Sequence, residues 1–182
     1  MLSHKGTEQL ETQNLILRKF RFDDAEDMFI NWANDERVTK YLSWYPHNNK
    51  QITEEFIDSL IKSYDSPETY FWAIVPKDYN KVIGSISVIE FSNNMSRCEI
   101  GYCLSMSFWN MGIMTEALKA VIEFLLNEIG FERVQAKHDI ANPASGKVMK
   151  KAGMQYEGRL RKYQKTKEGK LVTCDMYSSI RE

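Results

Sequence analysis

The chain has 182 residues and a mass of 21.3 kDa, with 43% hydrophobic and 27% charged residues. That length and balance predict one globular domain spanning 1–182 and exclude disorder, collagen and coiled coil. With 24 Lys+Arg against 25 Asp+Glu the net charge is -1, so net charge points to neither nucleic acid nor a membrane. The longest apolar run, 70–75, is far short of the roughly 20 residues of a membrane span, and residues 1–11 lack the apolar stretch of a signal peptide. A cytoplasmic chain is predicted. Cys98 and Cys103 lie an odd number of positions apart on one expected strand, face opposite sides and cannot pair. With Cys174 they read as reduced thiols.

The chain alternates between strand and helix periods, with no internal repeat. Leu15, Ile16 and Leu17 suggest a first strand. Asp23-Asp24 opens a helix with Ala25, Met28, Phe29 and Trp32 on one side, and a second helical stretch covers 34–41. A third covers 53–64, with Phe56, Ile57, Leu60, Ile61 and Tyr64 as its stripe. Strands are expected over 69–75, 82–91 and 97–105. After Gly112, Met114, Leu118, Val121, Leu125 and Ile129 recur on one helical face until Gly130. A strand over 133–140 follows, then a short helix from Asn142-Pro143 to Ala152. The end reads as a hairpin, 156–163 and 171–180, with Glu168-Gly169 in its turn.

Charge is unevenly spread: 147–170 holds nine basic residues against two acids, a local net of +7 on a chain of net charge -1. Such a segment suits a polyanion, including a phosphorylated cofactor, or is a solvated face. Other motifs fail. His4, His47 and His138 are scattered without cysteines at metal spacing, so no metal site is expected. Ser145-Gly146-Lys147 lacks both the earlier glycine and the following hydroxyl of a phosphate loop, since Ala141 and Val148 stand there. No Gly-x-Ser-x-Gly elbow exists.

Two helix starts remain. Trp109-Asn110-Met111-Gly112-Ile113-Met114-Thr115 joins a strand to the long helix, and helix starts carry free N–H groups suited to pyrophosphate. Asn142 is a candidate N-cap with Pro143 at the first helical position, which places Ser145 on the first turn.

Together these residues resemble the GNAT superfamily of acetyl-CoA-dependent N-acetyltransferases. The pattern is Glu99-Ile100-Gly101-Tyr102, then Trp109-x-x-Gly112-x-x-Thr115-Glu116-Ala117, then Asn142-x-x-Ser145 and Lys151-x-Gly153. Leu15-Ile16-Leu17-Arg18, Val38 to Trp44 and Asp175-Met176-Tyr177-Ser178 extend the likeness, within that superfamily, to the Rim-type branch that acetylates ribosomal-protein N-termini. The resemblance implies an α/β (α+β) fold: a mixed, mostly antiparallel seven-stranded sheet with helices on both faces, splayed between its fourth and fifth strands. The pantetheine arm of acetyl-CoA would enter that gap. Tyr102, Cys103 and Leu104 would bond pantetheine through main-chain groups. Trp109, Asn110, Met111, Gly112, Ile113, Met114 and Thr115 would wrap the pyrophosphate. Asn142 would contact the pantetheine or acetyl end, and Lys147 and Lys151 the nucleotide end.

Asn110, Met111 and Met114 depart from the family's Trp-Gly-basic-Gly-x-Ala loop, with the loss of one flexible residue and one positive charge. Met149 stands where many members carry an acid tyrosine, and Ser145 would serve instead as proton donor to the thiolate. The implied reaction is direct attack of an amine on the thioester, with Glu99 as base and Asp139 as its rival. Tyr41, Trp44 and Tyr45 would form the acceptor wall or simply core. The acceptor is a peptide N-terminus or a small-molecule amine; neither nucleic acid nor a membrane is an expected partner, and a homodimer is left open. A non-catalytic acetyl-CoA binder of the same fold is the alternative.

Overall fold

The computed structural model describes residues 2–182. Eight strands form one sheet: β1 (Leu10–Glu11), β2 (Leu15–Arg18), β3 (Phe71–Pro76), β4 (Gly84–Ser92), β5 (Arg97–Leu104), β6 (Arg133–Asp139), β7 (Gln155–Lys165) and β8 (Leu171–Ile180). Their order is β1-β2-β3-β4-β5-β6-β8-β7, antiparallel throughout except for the β5–β6 pair. The strand beyond the expected seven is β1, two residues that pair with Leu17 and Ile16 and are too short to show a period in sequence. It shifts the divergence to the fifth and sixth strands.

Five α-helices cover both faces: α1 (Asp24–Met28), α2 (Glu36–Thr39), α3 (Lys50–Ser63), α4 (Ile113–Glu123) and α5 (Pro143–Lys151). Strand alternation feeds two cores. Leu15, Leu17, Trp72 and Ile74 point to one side, where Leu118 and Val121 of α4 and Met149 of α5 meet them. Ala73 and Val75 point to the other, against Met28, Val38, Ile57 and Leu60 of α1, α2 and α3. Cys98 lies in the first core and Cys103 packs against the second, as their odd spacing requires.

The helix ends differ from the periodic expectation where capping decides. Asn49 Oδ1 accepts from Ile52 N at 3.1 Å, so α3 begins at Lys50, three residues early. Asp35 caps α2, which keeps only four residues. Both α1 and α4 run on into π-helical turns, Phe29–Ala33 and Phe124–Ile129. Among the described residues no helix is long and apolar enough to cross a membrane.

One irregularity shapes the site. The β5–β6 pairing consists of Arg97–Arg133, Cys98–Val134 and Glu99–Gln135, after which the strands part. The β4–β5 register shifts at the same level, with Ile89 as an extra residue between Val88 and Glu90. A bulge bends and twists its strand pair, here turning the second half of β5 away from β6.

Candidate active site

The gap edge of β5 follows from its ladder. Ser105 N donates to Ile83 O at 2.8 Å. Antiparallel alternation then turns the main chain of Ser105, Cys103 and Gly101 toward β4, and that of Tyr102 and Leu104 toward the gap. Of the three residues expected to hold pantetheine, Cys103 is therefore corrected: its amide and carbonyl belong to the β4–β5 ladder. The Leu104 carbonyl is already occupied, accepting from Trp109 Nε1 at 2.8 Å, so only its N–H is left for the gap among the described residues.

That indole bond anchors the loop before α4. Asn110 and Gly112 both take left-handed conformations, φ +63° and +81°. Asparagine tolerates this region, so the left-handed turn forms at Asn110 without a glycine there. The first α4 bond runs from Glu116 N to Gly112 O, 3.0 Å. The amides of Gly112, Ile113, Met114 and Thr115 stand outside the helical ladder, and no side chain caps them among the described residues. Their partial positive charge suits a pyrophosphate. Trp109, Asn110 and Met111 form the exposed rim. Glu116 ties this turn to the β1–β2 loop, accepting from Thr12 Oγ1 (2.6 Å), Asn14 N (2.9 Å) and Asn14 Nδ2 (3.0 Å). Burial pushes its carboxyl up, but the Asn14 and Thr12 bonds outweigh this and hold it below the usual value.

On the opposite wall, Asp139 Oδ1 accepts from Ala141 N at 2.9 Å and shapes the turn into α5. The expected side-chain cap by Asn142 is not formed among the described residues. Its backbone, φ -113° and ψ 68°, departs from N-cap geometry, and its carbonyl accepts from Ser145 N instead, at 3.2 Å. The side-chain amide of the half-buried Asn142 has no hydrogen-bond partner among the described residues, while its backbone N–H donates to Asp139 O at 2.8 Å. Ser145 Oγ lies 2.9 Å from Tyr102 Oη, which also donates to Ser145 O at 3.1 Å. Burial pushes the Tyr102 phenol well above its ordinary value. Gly146 lets α5 pass over His138: a Cβ there would overlap Nε2 of that buried ring. Lys147 and Lys151 are exposed on α5. The rest of the basic segment is dispersed, with Arg159 paired to Asp175 at 2.8 Å and Lys167 donating to Thr39 O at 2.8 Å.

The sheet face under α1 to α3 holds the acid group. Glu99 is 3% exposed; Lys137 Nζ donates to its Oε1, and Gln135 Nε2 donates to its Oε2 at 3.0 Å. Both oxygens are engaged. Lys137 Nζ also lies 5.5 Å from the Tyr163 ring centroid. Tyr163 sits within a register shift of β7 between Leu160 and Gln164, where Lys162 has φ +50°. Lys137 and Tyr163 were not legible as site residues, because the β5–β6 register that joins Lys137 to Glu99 leaves no sequence signal. Tyr41 Oη donates to Ala141 O at 2.8 Å, beside Asn142. Tyr45 Oη donates to Lys167 O at 3.3 Å and is 60% exposed, whereas Trp44 packs against the helix-side core and His47. Tyr41 thus reaches the turn into α5, whereas Tyr45 is tied to the β7–β8 turn and Trp44 to the core.

The parallel pair thus opens beside a helix start with uncapped amides, with Ser145 on the facing wall. Residues 14–155 match the acetyltransferase (GNAT) domain, and the chain belongs to that family. It is 32% identical over 172 residues to the uncharacterized N-acetyltransferase YoaA of Bacillus subtilis (strain 168), covering 94% of this chain and 96% of that one. It is 23% identical over 164 residues to the ribosomal protein uS5-alanine N-acetyltransferase of Escherichia coli (strain K12), covering 85% and 82%. The solved structure of the microcin C7 self-immunity acetyltransferase MccE, in complex with acetyl-CoA and AMP, superposes with a TM-score of 0.82 at 22% identity, covering 98% of each chain.

Proposed function

We propose that the chain transfers the acetyl group of acetyl-CoA directly to a primary amine, either a protein or peptide N-terminal α-amine or a small-molecule amine, in the cytoplasm. The observation that carries this reading is the β5–β6 gap, lined on one side by the free main chain of Tyr102 and the amides of Gly112 to Thr115, and on the other by Asn142 and Ser145. These residues fit the co-substrate: open amides for pyrophosphate, an unpaired strand edge for pantetheine amides, and hydroxyls at the far end. Acetyl-CoA supplies the activated acyl group. Ile113, Met114 and Thr115 bind the pyrophosphate through N–H groups, Tyr102 and Leu104 hold the arm, and Lys147 and Lys151 attract the nucleotide end. Asn142 orients the acetyl end, and Ser145 donates a proton to the departing sulfur.

The acceptor must be neutral. An α-amine with pKa about 7.8 needs roughly 1 kcal/mol to lose its proton at pH 7, and a lysine at about 10.4 needs roughly 4.6 kcal/mol. The engaged state of Glu99 therefore supports the α-amine: to take a proton, its Oε1 must first be released by Lys137. The relative named for the alanine of uS5 supports the same class. Glu99→Gln then costs activity at pH 7 and regains it as the pH rises; a wild-type rate at every pH would remove Glu99 from the chemistry.

The engaged carboxylate and the uncharged Met111 favour one second reading, a non-catalytic acetyl-CoA binder. Thermal melting tests the reading both share. At a 100-fold excess over Kd, acetyl-CoA stabilises by about 2.7 kcal/mol, a rise of roughly 5–10 °C for a chain of this size. No rise at saturating acetyl-CoA would overturn both.

A further inference from the structure

We propose that the Tyr102 hydroxyl is a positioning group for the reaction: it donates to Ser145 Oγ and thereby turns the serine proton toward the thioester sulfur. The inference rests on the acetyl-transfer reading and assigns the Tyr102 side chain a part separate from that of its main chain. The two residues stand on opposite walls of the gap, Tyr102 on β5 and Ser145 on the first turn of α5. Their oxygens are 2.9 Å apart, and Tyr102 Oη is also 3.1 Å from Ser145 O. Among the described residues Tyr102 is the one hydrogen-bond partner of Ser145 Oγ.

A serine hydroxyl without a partner samples its staggered rotamers, and one of them aims at a given acceptor. The tyrosine fixes that choice. Two proton arrangements fit the same three oxygens. In the first, Tyr102 donates to Ser145 O, and the serine donates to the phenol. In the second, Tyr102 donates to Oγ, which releases the serine proton to a new acceptor. A sulfur gaining charge in the gap selects the second arrangement. Burial pushes the phenol up, so it stays protonated over the working pH range and acts as a donor, not as a base.

The balance of the step is complete. Ser145 gives its hydroxyl proton to sulfur as the C–S bond breaks, its electron pair remains on sulfur, and the amine nitrogen forms the new N–C bond. The proton that the amine sheds returns to Oγ through solvent. Tyr102 gains and loses nothing: its hydrogen bond shortens on an oxygen that briefly carries more charge.

Steady-state kinetics on the full chain test this, with acetyl-CoA and whichever amine gives fastest CoA release, using Tyr102→Phe, Ser145→Ala and the double variant. Tyr102→Phe keeps the ring and should lower kcat roughly 10-fold, with KM for acetyl-CoA and the acetyl-CoA-induced rise in Tm unchanged. In the Ser145→Ala background the same change should cost nothing further, because the tyrosine acts through the serine. A purely structural tyrosine would cost the same factor in either background and lower the Tm of the free protein. An unchanged kcat in Tyr102→Phe, or equal factors in the two backgrounds, would overturn the proposal while wild-type turnover leaves acetyl transfer standing. Absence of turnover by the wild type on every amine would overturn both.

Discussion

Glu99, on the last rung before β5 and β6 part, forms a buried ion pair with Lys137, two residues past its partner Gln135, with side-chain exposures of 4% and 17%. Removing two charges from water is costly, and the pair is sustained only because the second carboxylate oxygen also has a donor, Gln135 Nε2. The pair ties the strands together where the ladder stops.

Lys137→Met should therefore leave a buried carboxylate without its counter-ion. The expected cost is about 3 kcal/mol, the range for breaking a buried pair from one side. Denaturant melts measure it, and Glu99→Gln in the same chain should return most of the loss. A Lys137→Met chain as stable as the wild type would mean that water reaches Glu99 freely.

Gly112→Val should suppress acetyl-CoA binding with little effect on packing. A Cβ at this position meets nothing within 4 Å, so bulk is not the obstacle; the φ of +81° is. A β-branched residue there costs about 1–2 kcal/mol of strain, or relaxes and withdraws the amides of α4 from the gap. The rise in Tm with acetyl-CoA should disappear in this variant, while the free protein still unfolds in one cooperative transition. A full wild-type rise would show that these amides do not hold the pyrophosphate.

Gly146→Ala tests the seat of Ser145. The added methyl must displace the buried His138 ring or lift α5, at about 1–3 kcal/mol, and lifting α5 draws Ser145 away from Tyr102. Stability and kcat should fall together, and His138→Ala in the same chain should recover part of both. If Gly146→Ala lowers stability but leaves kcat intact, the position of α5 does not govern the chemistry.

Much of this layout is legible in the sequence where a period or a cap carries it. The α4 stripe from Met114 to Ile129 repeats often enough to fix both the helix and its buried face. The strands β2 to β8 are legible to within two residues, β6 through its alternation and β3 through a continuous apolar run, whereas β1 leaves no period. Pairings between distant segments are not legible. Tyr102 and Ser145 are 43 positions apart and meet because a bulge at Ile89 bends β5 away from β6. Glu99 and Lys137 meet through the parallel register, which no local pattern encodes. The assignment of Cys103 to the gap missed the phase of the ladder, which the Ser105–Ile83 bond sets.

Glu157 should make the β6–β7–β8 end sensitive to acid. Arg133 Nη1 donates to it at 2.6 Å and Ser178 Oγ at 2.6 Å, and the guanidinium foremost, then the hydroxyl, hold its carboxyl down at about 2. A depressed carboxyl stabilises the fold above its unfolded value, about 4.5, and that contribution vanishes as pH falls through about 2. At 39% side-chain exposure solvent screens the pair, so the contribution is on the order of 1 kcal/mol or less. The stability difference between wild type and Glu157→Gln should be present at pH 7 and shrink to nothing between pH 4.5 and 2. A difference that does not change over that window would contradict the assignment.

The β5–β6 gap is proposed as the place of acetyl transfer to a neutral amine. Incubation of the full chain with acetyl-CoA and a panel of peptides with free N-termini, lysine-like amines and small amines, with CoA release as the readout, tests it most directly. Release should accompany acetylation of α-amines at pH 7, with lysine-like amines slower by a factor that narrows as the pH rises. Acetyl-CoA binding with no CoA release on any amine at any pH would contradict it.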